Sequence, residues 1–333
     1  MNRKTLDKIV CTYCSTKLTL NEFDGNDKKL MDSVLTCSEC GAWFPISAGI
    51  GNMLPEHFTD KKKREEFVNK WKFQPPEREI TDDEMPEAEK MKQINFYNED
   101  SDEYDENMES TPFWKANDWN CINEWLPKIK PGQLMLDIGC GTGRASIPFA
   151  REGVNVIGFD ISEGMVTWAR EKSIELGLED CTDYLVGDAE NPPFQDEAFD
   201  HVIVFGVLHH VPEPIKVLKN IRRLLKSTGY YFGHENNKTV FRPLFDLSMK
   251  IFKLWNEEAG NHPLISQQEL RDWSLKAGLN VESTTSVFIP PQIFNLIGEK
   301  NAKHLLVLSD SICNSIPVLK GNGGVLKIEG KPL

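Results

Sequence analysis

Apolar runs alternate with amphipathic segments along the second half of the chain. Runs rich in Val, Ile, Leu and Phe predict strands near 133–138, 154–159, 183–187, 200–205, 229–234, 280–289 and 324–329. Segments with apolar residues at helical spacing predict helices at 143–152, 163–177 and 213–226. Such alternation is typical of an α/β fold built on a doubly wound parallel sheet.

Two further apolar segments interrupt this alternation late in the chain. In 239–257 the apolar residues fall at helical spacing, and they are Phe241, Leu244, Phe245, Ile251, Phe252 and Trp255. The segment 292–316 is also apolar and helical in pattern. Between the two segments, Ser266 and Glu269 form a capping box that would open a helix. We expect helical insertions at 239–262 and 291–317 that build an acceptor pocket, or that serve only as core or as a dimer surface.

Composition divides the chain of 333 residues into three parts. Residues 1–57 contain two cysteine pairs among short strand-like runs, and they predict a small module. Residues 58–112 are polar and charged, and they predict a linker with some helix. Residues 113–333 begin with an aromatic helical segment at 113–130 and continue into the alternating pattern. A chain of this length can bury a sizeable core.

The charge of the chain is uneven. The net charge is −13, and fourteen acidic against three basic residues lie between Glu77 and Glu109. A chain-wide basic footprint for nucleic acid is therefore absent, and the basic run Lys61–Arg64 is more typical of a solvated helix face. No apolar run approaches the length of a transmembrane helix, and the first residues lack a signal-peptide core. We expect a cytoplasmic protein.

A glycine-rich turn follows the first strand of the alternating region. Asp137 precedes Gly139, Gly141 and Gly143 in a G-x-G-x-G spacing. Glycines allow a tight turn and a close approach of the backbone to a ligand, although a turn without a ligand has the same pattern. Arg144 stands where a dinucleotide-binding fingerprint has its third glycine, which counts against NAD as the alternative cofactor.

Polar side chains follow the next strands at their carboxyl ends. Asp160 ends the second strand, where an acid can accept both hydroxyl groups of a ribose. Asp188 and Ala189 end the third strand, in a position that suits an adenine edge, and His209 and His210 follow the fourth. Open α/β sheets bind ligands at this edge, so we expect these residues to lie close together.

Residues 133–235 resemble the core of class I S-adenosylmethionine-dependent methyltransferases, in particular the small-molecule and quinone C-methyltransferases. The resemblance rests on the glycine turn, Asp160, Gly187-Asp188-Ala189 and Leu208-His209-His210-Val211 before a proline. It implies a Rossmann-like seven-stranded sheet, S-adenosylmethionine as cofactor and methyl transfer as activity. Carried over by position, it implies a cofactor-binding set of Asp137, Gly139, Gly141, Gly143, Asp160, Ile161, Met165, Asp188, Ala189 and Phe205.

Four further residues are candidates for roles in the reaction. His209 and His210 are candidate general bases, needed only if the acceptor loses a proton in the reaction; each would otherwise be a capping or packing histidine. Tyr97 and Tyr104 precede the core where related enzymes cover the cofactor. Their aromatic faces would favour a sulfonium, or they would only pack against the N-terminal helix.

The two cysteine pairs predict a metal site. Cys11 and Cys14 form one C-x-x-C pair, and Cys37 and Cys40 form the second after 22 intervening residues. In a chain without an export signal this spacing predicts zinc rather than disulfides. Four thiolates close a tetrahedral site, which favours a structural Zn²⁺, with iron as the alternative.

The residues around these cysteines resemble the small zinc-ribbon proteins that activate tRNA and translation-factor methyltransferases. The resemblance includes Phe44-Pro45-Ile46 and the run from Gly49 to Pro55. A zinc ribbon before a methyltransferase also resembles bacterial guanine-N1 rRNA methyltransferases. We expect a small-molecule, lipid-like or glycoconjugate acceptor. An rRNA or tRNA methyltransferase, and a regulatory module that binds a protein partner through the ribbon, remain the alternatives.

Overall fold

A computed structural model describes residues 1–78, 88–251 and 263–333. Seven strands form the sheet that the alternating pattern predicts: β5 (Leu134–Ile138), β6 (Asn155–Asp160), β7 (Thr182–Val186), β8 (Phe199–Phe205), β9 (Leu225–Asn236), β10 (Leu279–Ser286) and β11 (Val325–Pro332). Their order is β7-β6-β5-β8-β9-β11-β10, and β11 runs in the direction opposite to the other six strands. The predicted α/β class with a doubly wound, Rossmann-like sheet is confirmed.

Helices cover both faces of this sheet. The helices that connect its strands are α5 (Ser146–Arg151), α6 (Glu163–Glu175), α7 (Pro214–Leu224) and α9 (Gln267–Lys276). The capping box opens α9, because Ser266 and Glu269 each accept a hydrogen bond from the other's backbone amide. Buried aliphatic and aromatic side chains from both layers form the core, among them Leu136, Phe159, Phe199, Leu218 and Ile221.

The N-terminal module extends the same sheet. It consists of α1 (Arg3–Leu6), β1 (Thr19–Gly25), β2 (Leu30–Thr36), β3 (Trp43–Ser47) and β4 (Ile50–Asn52). The first four strands are joined antiparallel, and β4 then pairs in parallel with β7. The sheet therefore has eleven strands rather than seven. Strand β7 would otherwise be an edge of the sheet, and β4 pairs with its last two residues, Leu185 and Val186.

Three helices connect the module to the sheet. They are α2 (Lys61–Trp71), α3 (Ala88–Ser110) and α4 (Pro112–Trp125). The segment predicted as a linker with some helix is thus largely helical where the structure describes it, and residues 79–87 lie outside that description. Helix α4 ends earlier than the sequence predicts, and a 3₁₀ turn over Leu126–Lys128 follows it. Pro127 explains this end, since proline cannot continue the α-helical hydrogen bonding.

The late insertions form α8 (Arg242–Ile251), α10 (Pro291–Leu296) and α11 (Glu299–Ser315). The helical insertion predicted at 292–316 consists of two helices, α10 and α11, and Gly298 between them has a positive φ of 74°. Phe252 and Trp255, expected in the first insertion, lie outside the described residues. Among the helices in the described ranges, none is long and apolar enough to cross a bilayer.

Candidate active site

A cleft opens at the carboxyl edge of β5 to β8. It has a volume of about 100 Å³, and α3 forms one of its walls. Of the residues predicted for the site, those that line the cleft are Tyr97, Tyr104, Gly139, Gly141, Asp160, Ile161, Met165, Asp188, Ala189, Phe205 and His210. The cleft walls do not include Asp137, Gly143 or His209.

The glycine turn after β5 requires glycine for two different reasons. Gly139, Gly141 and Gly143 all have positive φ, at 70°, 51° and 90°. A Cβ on Gly139 would also lie only 2.3 Å from the side chain of Val207, so the loops after β5 and β8 meet there without space for a side chain. At Gly141 the position is open toward the cleft, and an added Cβ would meet the ring of Tyr104 at 4.0 Å.

Asp160 holds the turn against the second strand. Its Oδ2 accepts a hydrogen bond from the Gly141 amide at 2.9 Å, and its Oδ1 accepts one from the Ser162 amide at 2.9 Å. Burial raises the pKa of this carboxyl, and the backbone hydrogen bonds oppose the rise. The carboxylate is therefore oriented at the cleft wall by two backbone amides.

Asp188 is joined to α3 by a buried ion pair. Lys90 Nζ lies 2.8 Å from Asp188 Oδ2 and 2.5 Å from Glu190 Oε2, and all three side chains are buried. Burial alone would lower the pKa of Lys90, but the two carboxylates raise it. Sequence reasoning missed Lys90, which lies in the acidic segment, and Glu190, whose only signal is its position two residues after Asp188.

Asp137 is fully buried behind the turn. Ser146 Oγ donates a hydrogen bond to its Oδ2 at 2.5 Å. Burial raises the pKa of the Asp137 carboxyl to about 7. This contact joins the end of β5 to the first residue of α5, so Asp137 can affect the cleft through the position of the glycine turn.

The two histidines lie in different surroundings. His209 is buried, and its Nδ1 lies 2.6 Å from Glu235 Oε2. Glu235 Oε1 also accepts hydrogen bonds from the amides of Val207 and Leu208, at 2.9 and 2.7 Å. His210 instead lines the cleft, with its Nε2 3.4 Å from the hydroxyl oxygen of Tyr97. Sequence reasoning missed Glu235, which nothing in the surrounding strand distinguishes.

Arg144 connects α4 to the glycine turn. Its guanidinium makes two hydrogen bonds to Asp118, at 2.8 and 3.0 Å, and a third to the Tyr104 hydroxyl at 3.3 Å. It also lies over the rings of Trp114 and Phe205. The arginine that replaces a third glycine therefore fixes two aromatic residues of the cleft, Tyr104 and Phe205.

The four paired cysteines form one cluster. Their sulfur atoms all lie within 4.8 Å of one another, and none is in a disulfide. The closest pairs are Cys14 with Cys37 at 3.4 Å and Cys11 with Cys40 at 3.5 Å. A tetrahedral zinc with Zn–S bonds of about 2.3 Å places its sulfur atoms about 3.8 Å apart, so the donor set and its spacing fit such a site.

Comparisons with known proteins agree with this geometry. Residues 136–233 match the family model described as a methyltransferase domain. The chain is 31% identical over 172 residues to the demethylmenaquinone methyltransferase of Bacillus cytotoxicus, covering 50% of this chain and 72% of the relative. It is 28% identical over 216 residues to the Bacillus cereus protein of the same name, covering 59% and 90%.

Two solved structures share the fold. One is an S-adenosylmethionine-dependent methyltransferase, described as a possible histamine N-methyltransferase, from Thermotoga maritima (21% identity, TM-score 0.50, 72% of this chain and 99% of that one). The other is a complex of the Haloferax volcanii Trm112 methyltransferase activator with a putative methyltransferase (20% identity, TM-score 0.51, 72% of this chain and 97% of that one). This chain belongs to the class I S-adenosylmethionine-dependent methyltransferases, and its N-terminal four-cysteine module is consistent with a zinc ribbon.

Proposed function

We propose that the cleft holds S-adenosylmethionine across the four strand ends. Asp160 accepts the ribose hydroxyls, while Asp188 and Ala189 receive the adenine edge beside Ile161 and Met165. The glycine turn holds the amino-acid half, with Asp137 supporting the turn from behind. The orientation of Asp160 by two backbone amides supports this assignment, because a fixed carboxylate loses little freedom on binding.

We infer that the acceptor is a small molecule with a large apolar part, either lipid-like or a glycoconjugate. The observation that carries this inference is the cleft wall after β8, where Phe205, Val207, Val211 and Pro212 stand beside Tyr97. Aromatic and aliphatic walls bind apolar acceptors and exclude water. Two curated relatives are methyltransferases of a demethylated menaquinone, a molecule of the same class.

Methyl transfer requires little of the protein beyond the alignment of the methyl donor with the acceptor. Bound S-adenosylmethionine supplies a methyl group already activated on a sulfonium. The apolar wall orients the acceptor and excludes water, and the rings of Tyr97 and Tyr104 face the cleft where a positive charge would be favoured. Where the acceptor must lose a proton, His210 is the histidine that can receive it, since His209 is buried against Glu235.

The cysteine cluster is proposed to hold a structural Zn²⁺. All four sulfur atoms would be ligands, which leaves no open position for chemistry. The metal would stabilise a module too small to fold on its own core, and the module in turn covers the edge of β7. The ribbon then supports the catalytic domain from within the same chain.

Fractionation of methylated products tests the proposal. The purified enzyme is incubated with methyl-tritiated S-adenosylmethionine and a lysate from a strain that lacks the gene. The products are then separated into RNA, protein, organic-soluble and small polar fractions. Label in the organic-soluble or small polar fraction that is lost with Asp160→Ala supports the proposal. Label in RNA would favour the RNA alternative, and cofactor binding without any labelled fraction would favour the regulatory one.

A further inference from the structure

The late insertions carry an exposed apolar surface. We use the name insertion surface for the exposed side chains of Val240, Leu244, Leu296, Leu308, Ile312 and Val318. Leu296 is 85% exposed, Val318 80% and Val240 73%. Single exposed apolar residues are ordinary, but a group of this size on neighbouring elements indicates an interaction site.

The pattern of α11 shows that the exposure is a property of the helix. Its buried side packs Ala302 and Leu306 into an apolar cluster with Phe113 of α4 and Phe294 of α10. Its opposite side carries Leu308 and, beside it, Ile312, each more than half exposed. A surface helix ordinarily carries polar residues on its outer face, and here the two aliphatic side chains share that face with exposed polar residues such as His304 and Ser311.

The elements that carry the surface are held together. The segment before α8 is joined to the loop after α11 by hydrogen bonds from Asn237 to Gly321 and from Thr239 to Asn322. The ring of Phe245 in α8 packs against Gly324 in the same loop. Val240 and Val318 therefore belong to one connected region of the fold.

The charge of this region differs from that of the chain. Between residues 300 and 320, all of which the structure describes, the basic residues are three lysines and the only acid is Asp310. Asp310 is buried and accepts a hydrogen bond from Ser286 at 2.5 Å. Lys303 pairs with Glu299, so the exposed cations are Lys300 and Lys320. On a chain of net charge −13, this segment carries a local excess of positive charge.

The insertion surface begins at the edge of the sheet where the cleft opens. Strand β9 runs parallel to β8, so both end at that edge, and α8 follows β9 directly. His234, near the end of β9, stacks on Phe205 of the cleft at 4.5 Å between ring centroids. A partner bound to the surface would therefore lie on the same side of the molecule as the active site.

We propose that the insertion surface docks on a lipid bilayer that contains anionic phospholipids. Exposed aliphatic side chains enter the boundary between headgroups and acyl chains, and Lys300 and Lys320 remain at the level of the phosphates. Interfacial binding of this kind needs apolar area together with basic residues, and the surface offers both. The proposal concerns binding to a surface and does not depend on which acceptor is methylated.

Vesicle sedimentation tests this docking without methyl transfer. The full chain is mixed with vesicles of phosphatidylcholine alone or of phosphatidylcholine with phosphatidylglycerol, and the bound fraction is measured at low and high salt. We expect binding to the phosphatidylglycerol vesicles that weakens with salt. The variant L308S/I312S/V318S is expected to lose at least about tenfold in partition, while circular dichroism confirms that it is folded.

A matched variant shows whether the loss is specific to this surface. Three exposed apolar residues lie elsewhere in the fold. Ile174 lies on α6, Leu176 directly after that helix, and Leu275 on α9. I174S/L176S/L275S should bind vesicles like the parent chain. Equal binding by L308S/I312S/V318S, or no binding by the parent, would overturn the proposal. So would a dimer in sedimentation velocity that L308S/I312S/V318S dissociates, because a second copy of the chain would then occupy the surface.

Discussion

Lys90 of α3 and Asp188 after β7 form a buried ion pair across the wall of the cleft, with 2.8 Å between Nζ and Oδ2. Glu190 completes the group from the same loop. The pair holds α3 against the strand ends. The carboxylate of the pair, that of Asp188, is the one proposed to receive the adenine edge. Binding of the cofactor must therefore either share this carboxylate with Lys90 or displace the lysine from it.

Removing the lysine charge tests the strength of this contact. Lys90→Met leaves two buried carboxylates close together, so we expect the free energy of unfolding to fall by about 3–5 kcal/mol. Urea unfolding followed by circular dichroism measures the change. Lys92→Met alters an exposed residue of the same helix and should change stability by less than about 0.5 kcal/mol. Equal effects of the two variants would show that the buried pair does not fix α3.

Glu235 is expected to act by positioning the loop after β8. Glu235→Ala removes the acceptor of two backbone amides and the contact with His209, so stability should fall by about 3 kcal/mol. The KM for S-adenosylmethionine should rise more than kcat falls, because the displaced loop is part of the cleft wall. Glu235→Gln keeps one acceptor oxygen for the amides and should restore most of the affinity. A loss of kcat alone, which Glu235→Gln fails to restore, would argue against a positioning role.

The buried carboxyl of Asp137 makes stability depend on pH. Its pKa of about 7 in the folded chain lies above the ordinary value of 3.8. The folded state thus favours the protonated form, and this contribution is complete below about pH 4 and lost as the pH rises through 7. From pH 5 to pH 8 the parent should lose on the order of 2–3 kcal/mol of unfolding free energy through this group. Urea unfolding measures this at pH 5 and pH 8. In Asp137→Asn the loss of unfolding free energy between the two pH values should disappear, because the variant lacks the titrating carboxyl.

Asp200 provides the control for this pH dependence. Burial would raise the pKa of its carboxyl, but the Leu134 amide and Lys226 lower it below the ordinary value. A lowered pKa gives stability that is lost only as the pH falls through acidic values, so it is constant between pH 5 and 8. Asp200→Asn should therefore keep the pH dependence of the parent over this range. If Asp137→Asn also keeps the pH dependence of the parent, the pKa of the Asp137 carboxyl is not raised.

Removal of the metal is expected to affect the whole sheet. Without its ion the cysteine module should unfold and leave β7 as an exposed edge. A strong chelator should therefore lower the midpoint of thermal unfolding by more than about 5 °C, and elemental analysis of the untreated protein should find one zinc per chain. Cys37→Ser should reproduce the loss, whereas Cys313→Ser, an isolated cysteine of α11, should retain both the metal and the midpoint. An untreated chain without metal and with an unchanged midpoint would contradict the zinc site.

The sequence predicted the features that depend on local pattern. Strands β5 to β11 follow from their apolar runs, and the carboxylates at strand ends follow from the common edge of parallel strands. The cysteine cluster follows from the C-x-x-C spacing. In each case a short stretch of chain contains the whole signal.

The contacts that the sequence did not predict all join distant segments. Lys90 meets Asp188 across 98 positions, and Glu235 meets His209 across 26. The pairing of β4 with β7 joins the module to the sheet although β4 has only three residues. Such contacts depend on tertiary packing, and a lysine in an acidic helix or a glutamate in a buried strand gives no local sign of its partner.

The binding of S-adenosylmethionine tests the assignment of the cleft most directly. Titration calorimetry would measure its affinity for the parent, for Asp160→Asn and for Asp200→Asn, whose side chain lies at the opposite end of the strands. We expect Asp160→Asn to weaken binding at least about tenfold, with Asp200→Asn equal to the parent. Equal affinity of Asp160→Asn and the parent would contradict the account, because the oriented carboxylate of the cleft would then not bind the cofactor.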